Sequence, residues 1–299
     1  MAIRIGTSGW SYDHWHPELY PPGLRSGSRL SRYAAAFCTA ELNSSFYRWP
    51  RPAAFRSWQD RLPDDFRLSV KAPRGLTHAR KLCAPETWLQ RIKQGWHELG
   101  GKRAVLLVQL PPSQPRDDIR LAYFLRLVPD WIRVAVEFRH HSWHCEQVFA
   151  LLVEHGAAYC VMSGANLPCM LRATTDVAYV RMHGPDQHQL YAGSYSDADL
   201  QWWADRLREW SHAGQDVYVY FNNDGNANAV RNARTLQALL APDSGPPVPS
   251  EPGPGLCTRG LTDAPDATRG PGRAGSAPTS RVVQHNTLNW GAARDLCCC

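Results

Sequence analysis

RVAVEFR, residues 133–139, alternates two kinds of side chain. Successive side chains of an extended strand point to opposite sides, so Val134, Val136 and Phe138 share one face while Ala135, Glu137 and Arg139 share the other. Alone, such a strand reads as half solvated, with its charged face on water. The reading changes because other apolar runs repeat the pattern. FRLSVKA (66–72) sets Leu68, Val70 and Ala72 against Arg67, Ser69 and Lys71. VAYVRMH (177–183) sets Ala178, Val180 and Met182 against Tyr179, Arg181 and His183, and DVYVYFN (216–222) sets Val217, Val219 and Phe221 against Tyr218, Tyr220 and Asn222. AELNSSF (40–46) is less clean, with Leu42 and Phe46 opposite Glu41, Asn43 and Ser45.

Three further runs, IRIGTS (3–8), AVLLVQL (104–110) and AAYCVMS (157–163), bring the number of predicted strands to eight. Helical patterns lie between most of them. In DADLQWWADRLREW, for example, Leu200, Trp203, Leu207 and Trp210 recur at spacings of three and four and form one apolar stripe. Alternating strands and helices in residues 1–241 predict an α/β protein of the TIM-like (β/α)8 barrel type. GANLPCMLRATTD, between strands six and seven, is too short and too poor in helix formers for a regular crossover helix, so an irregularity is expected there. A barrel must turn its apolar strand faces toward the helix ring, which sends the polar faces inward and their last members to the C-terminal mouth.

By that argument Asn43, Lys71, Gln109, Glu137, Arg139, Arg181, His183 and Asn222 converge on one opening. Converging buried charges are costly unless they pair or meet a ligand. The runs resemble the YecE-like family, domain of unknown function 72. The resemblance rests on IGTSGWSYDHW, AELNSSFYRWP, FRLSVKAP with a nearby LTHARKL, VEFRHHSW, YVRMHG and VYVYFNND, which stand in order through residues 3–240. It implies a TIM-barrel-like fold and no established reaction.

The chemistry must therefore come from the residues. Catalytic candidates are Glu137 as proton acceptor, His183 as a group that donates or accepts near neutral pH, and Lys71 as an amine whose pKa falls if it is desolvated beside arginines, which would let it attack a carbonyl and form a Schiff base. Pairing of Lys71 with Glu137 is the plainer reading of the same residues. Arg139 and Arg181 are the candidate clamp for a carboxylate or phosphate, because guanidinium meets such groups in a bidentate way. Asn43, Gln109, Asn222, Asn223, Tyr12, Trp10 and Tyr47 complete the candidate binding set. The loop NNDGNANAVRNA (222–233) reads either as a backbone cradle for an anion or as ordinary turn and cap residues. Few carboxylates and imidazoles stand near the mouth beside three cations, so neither a metal nor another cofactor is expected.

A metal-independent enzyme using acid–base chemistry on a small anionic substrate is the leading reading, with hydrolase, lyase and isomerase undecided. Aromatic residues that follow predicted strands, Trp10, Tyr12, Trp15, Tyr47, Trp49, Trp143, Tyr191 and Tyr195, support an alternative: a nucleotide, carbohydrate or nucleic-acid binder. A non-catalytic scaffold is the third class.

Net charge is +6, and residues 242–299 contain five Arg against five Asp and Glu, so the excess belongs to the first 241 residues. A mildly basic body suits small anions and falls short of histone-like charge density. No run reaches the roughly 20 apolar residues of a membrane helix, and the N-terminus lacks the apolar segment of a signal peptide, so a cytoplasmic protein is expected. Nine cysteines include no C-x-x-C pair, and Cys38, Cys83, Cys145, Cys160 and Cys169 read as reduced thiols. Residues 242–299, dense in Pro and Gly, read as a disordered tail. Its closing CCC is no prenylation box, since Leu296 stands where the cysteine would be needed. Oligomeric state is left open.

Overall fold

A computed structural model describes residues 1–241. Each predicted run overlaps a strand: β1 (Ile3–Thr7), β2 (Thr39–Leu42), β3 (Arg67–Lys71), β4 (Arg103–Gln109), β5 (Val134–Glu137), β6 (Ala158–Ser163), β7 (Val177–Met182) and β8 (Asp216–Phe221). All pairings are parallel, in the order β1-β8-β7-β6-β5-β4-β3-β2. The ring closes between the two ends of that order through a parallel bridge from Ser8 to Glu41. There the Gly9 N–H donates to the Glu41 carbonyl at 2.8 Å.

The seam has two further devices. A Cβ on Gly6 would stand 2.1 Å from the Thr39 carbonyl oxygen, so only glycine allows the two backbones to approach this closely. The Tyr33 hydroxyl spans the gap, accepting from the Thr7 N–H at 2.9 Å and donating to the Thr39 carbonyl at 3.0 Å. One phenol thus does what ladder bonds do elsewhere in the ring.

Seven helices surround the strands: α1 (Arg29–Ala34), α2 (Pro52–Arg61), α3 (Glu86–Glu98), α4 (Asp118–Leu127), α5 (Glu146–Glu154), α6 (Asp197–His212) and α7 (Asn228–Leu239). Their starts follow local chemistry. Pro52 opens α2, where a missing N–H costs nothing. Ser196 and Asp199 form a reciprocal capping box on α6, each side chain accepting from the other's backbone N–H at 3.1 Å. Leu200, Trp203 and Leu207 of its apolar stripe are buried, and Trp210 lies partly buried against the same core.

No helix joins β6 to β7, as the sequence predicts. Thr174 stabilises this crossover, its hydroxyl accepting from the Tyr159 N–H at 2.8 Å and donating to the Ala157 carbonyl at 2.7 Å.

The two strand faces separate into two cores. Val70, Val108, Val136, Val161, Val180 and Val219 pack outward with Trp96, Trp143 and Trp203 beneath the helices. Val105, Leu107, Ala135, Cys160, Tyr179 and Tyr220 fill the barrel interior. Deep in that interior the Tyr220 hydroxyl reaches the hydroxyls of Thr39 at 2.7 Å and Ser69 at 2.9 Å, so the polar groups of the floor satisfy one another.

One expectation fails. Cys169, half buried in the β6–β7 crossover, is disulfide-bonded rather than a thiol. Such pairing leaves no signature in local spacing. No helix among the described residues is long and apolar enough to cross a membrane. The expected tail with its terminal cysteines lies outside the described residues.

Candidate functional site

Strand parity delivers four charges to the mouth end of the barrel. Glu41 ends near the top of β2, Glu137 closes β5, Arg181 lies near the end of β7, and Arg139 follows β5 by two residues. Arg181 joins both carboxylates, at 2.7 Å from Nη2 to Glu41 Oε1 and 2.7 Å from Nη1 to Glu137 Oε2. All three side chains are fully buried. Arg139 Nε donates to Glu137 Oε1, completing a chain of two carboxylates and two guanidinium groups with no net charge.

Neutral hydroxyls finish the solvation of Glu41: Ser8 donates at 2.6 Å and Tyr179 at 2.7 Å. A buried ion pair needs this completeness to repay its desolvation. Burial alone would raise the Glu137 carboxyl, but Arg139 and Arg181 outweigh it and hold it well below the usual carboxylate range.

His183 is governed by the same cations. Burial first, then Arg139, push its imidazole down to about 3, so it is neutral at physiological pH. Arg139 Nη2 lies 3.1 Å from His183 Nε2, and guanidinium can only donate, so Nε2 accepts. On the other side of the ring, His183 Nδ1 lies 3.2 Å from Asn222 Nδ2. The expected proton exchange at His183 near neutral pH is therefore not supported: the ring acts as a fixed acceptor.

Lys71 differs from these groups. Its amine lies 4.4 Å from the centroid of the Phe46 ring, and among the described residues it forms no ion pair within 4.0 Å, so the expected alternative of a Lys71–Glu137 pair is not what forms. Burial, followed by repulsion from Arg181, brings the amine down to about 7. The segment after β3 turns through a π-helical stretch, Gly75–Ala79, a geometry that recurs near functional sites. It places His78 edge-on to Phe46 with ring centroids 4.8 Å apart. Burial and then Lys71 lower His78 to about 4.

The other candidates divide clearly. Asn43, just beyond β2, and Gln109, at the end of β4, flank Lys71 across the sheet order. Their side-chain oxygens, Asn43 Oδ1 and Gln109 Oε1, are buried and have no hydrogen-bond partner among the described residues. Asn222 belongs to the His183 contact. Asn223 is fully buried and serves the loops, donating to Asn232 Oδ1 at 2.9 Å and the Gly193 carbonyl at 3.0 Å.

Tyr12 is anchored to the Ser8 carbonyl at 2.9 Å, and burial, then Asp224, push its phenol up. Trp10 meets Trp58 of α2 edge-on, with centroids 6.1 Å apart. Tyr47 is 81% exposed at the rim. Of the other aromatic residues, Trp15, Trp143 and Tyr195 are buried supports, and Tyr191 is 42% exposed. Around the NNDGNANAVRNA loop, Asp224 Oδ1 accepts from Trp15 Nε1 at 2.6 Å and Oδ2 faces His14 at 3.0 Å. Its carboxylate sits where an anion cradle was one of the two expectations.

Sequence reasoning left four contributors out of the candidate set. Glu41 appeared in the inward parity set, but its partnership with Arg181 had no local signal. Ser8 and Tyr179 support it for the same non-local reason. His78 lies in a stretch with no strand parity to read. Among the described residues no three His, Cys, Asp or Glu side chains converge as a metal ion would need.

Comparison with known proteins finds relatives along this barrel. Residues 4–254 match a family described as "Protein of unknown function DUF72". UPF0759 protein YunF of Bacillus subtilis is 27% identical over 269 residues, covering 80% of this chain and 94% of the relative. UPF0759 protein YecE of Escherichia coli is 30% identical over 139 residues, 46% of this chain and 48% of its own. A DUF72 family protein from Thermotoga maritima superposes with a TM-score of 0.72 at 28% identity, covering 80% of this chain and 99% of its own. One from Enterococcus faecalis, 19% identical, shares the fold with a TM-score of 0.68 over 80% of this chain and 95% of its own.

Proposed function

The chain belongs to the DUF72 family of proteins of unknown function, and we propose that its barrel mouth is the active site of a metal-independent enzyme that moves a proton on a small anionic substrate. The observation that carries this reading is Lys71: a buried amine with no ion pair within 4.0 Å among the described residues, brought to about 7, at the mouth end of a barrel strand. A group whose pKa matches the working pH is both available as a base and able to return the proton.

The remaining residues have separable roles. Glu41, Glu137 and Arg181 are a rigid internal frame, because every charge among them is already paired. This shifts acid–base work from Glu137 and His183 to Lys71. Arg139 spends Nε on Glu137 and Nη2 on His183, while its Nη1 has no protein partner among the described residues. That group and the Lys71 ammonium supply donors for a carboxylate or phosphate. Arg181 is the counter-ion of the frame, so Arg139 alone remains of the expected arginine clamp.

Calorimetric titration with inorganic phosphate tests the reading. Binding is expected to weaken as pH rises through about 7, because Lys71 loses its positive charge there. Lys71→Met should weaken binding roughly tenfold at pH 6, the loss of one charge-assisted contact, and leave only the pH dependence of the phosphate's own ionisation. Binding that is unaffected by both pH and the substitution would contradict it.

A further inference from the structure

Lys71 is set among groups suited to more than proton transfer. The chain has only four lysines, Lys71, Lys81, Lys93 and Lys102, against 29 arginines. Lys71 is the one at the end of a barrel strand, on the polar inward face. Arginine would supply charge there equally well, but only lysine has a nitrogen that loses its proton to become a nucleophile. Phe46 forms an apolar wall beside the amine, and no carboxylate neutralises it within 4.0 Å among the described residues.

The neighbouring strands supply the second observation. β3 lies between β2 and β4, and Leu42 pairs with Val70, so Asn43 stands level with Lys71. Gln109 ends the strand on the other side. Each amide has a buried oxygen with no hydrogen-bond partner among the described residues, which is costly unless a ligand takes the bond. Amides at these positions carry both donors and acceptors. The unpartnered atoms are acceptors, so they suit the hydroxyl that a carbonyl oxygen becomes during reaction.

We propose that Lys71 forms an imine with a small aldehyde or ketone that also carries a carboxylate or phosphate. This inference rests on the reading of the mouth as an anion site and names its substrate class. The Nζ lone pair bonds to the carbonyl carbon while the C=O π pair moves to oxygen. One Nζ proton passes to that oxygen, giving a carbinolamine whose hydroxyl meets the Asn43 and Gln109 amides. The second Nζ proton leaves with the hydroxyl as water, and the C=N bond forms. No redox partner is needed. Arg139 Nη1 holds the anionic end of the same molecule.

Trapping on the intact chain tests the proposal. The protein is incubated separately with glyoxylate, pyruvate and dihydroxyacetone phosphate, reduced with sodium cyanoborohydride, and mapped by peptide mass spectrometry. The hydride converts the imine to a stable secondary amine. An adduct concentrated on Lys71, reaching half its maximal extent near pH 7, is the expected result. Lys81, Lys93 and Lys102 are internal controls for the extent of adduct formation. Absence of Lys71 enrichment over those three with every probe would overturn the imine. Phosphate calorimetry separates the two failures. If binding keeps its dependence on Lys71 while trapping fails, only the imine is lost; if both fail, the anion-site reading falls with it.

Discussion

Lys71 has an energetic consequence besides its chemistry. Its amine is near 7 in the folded protein, against 10.5 for a free lysine. Between those values the unfolded chain binds more protons than the folded one, so this group adds stability as pH rises from about 7 to about 10.5. Below that window the folded state bears the full cost of a buried ammonium. Lys71→Met should therefore stabilise the protein at pH 6, by on the order of 3 kcal/mol, with the gain fading toward pH 10.5. Urea unfolding at several pH values measures this; a loss of stability at pH 6 would mean that the amine is well solvated or paired.

Glu137 behaves in the opposite sense. Replacing it with Gln leaves Arg139 and Arg181 buried with a charge uncompensated, an effect that typically costs about 3–5 kcal/mol. The same substitution removes a neighbour that raises the Lys71 amine, so its midpoint should fall below 7. Denaturant unfolding and the pH dependence of amine labelling read the two effects separately. At this scale the sequence revealed which residues face inward but not how they pair. Glu41 and Arg181 are 140 positions apart, and the neutrality of His183 depends on burial and on an arginine just beyond another strand.

Among the elements, the β1–β2 seam is where the barrel depends on single side chains. Tyr33→Phe removes a hydroxyl that serves both the Thr7 N–H and the Thr39 carbonyl, both fully buried positions. Leaving them unsatisfied should cost about 1–3 kcal/mol in urea unfolding, with little change for a substitution of an exposed tyrosine such as Tyr47→Phe. Equal effects of the two would place the seam's stability elsewhere.

Strands were legible because a barrel needs one apolar face toward its helices, which turns alternation into an inside–outside label. The missing sixth crossover helix was legible for a similar reason: its segment lacks helix formers. The π-helical turn after β3 and the Cys169 disulfide were not, since one depends on how Phe46 and His78 pack and the other on pairing outside any local pattern.

For the whole molecule, the mouth is a property of closure. Lys71, Glu41, Glu137 and Arg181 come from four strands, and only the ring brings them together; in the unfolded chain Lys71 is an ordinary amine. The polar faces that would be solvated in an open sheet are buried here, and their charges cancel except at that lysine. Its pH dependence is therefore the most direct test of the account. Competitive labelling of the native protein with a limiting amine reagent, mapped by peptide across pH 5–11, gives the midpoint of each lysine. Lys71 is expected to show a midpoint near 7 in the native protein, returning toward 10.5 in denaturant. A Lys71 midpoint that stays near 10.5 in the native protein would contradict the account.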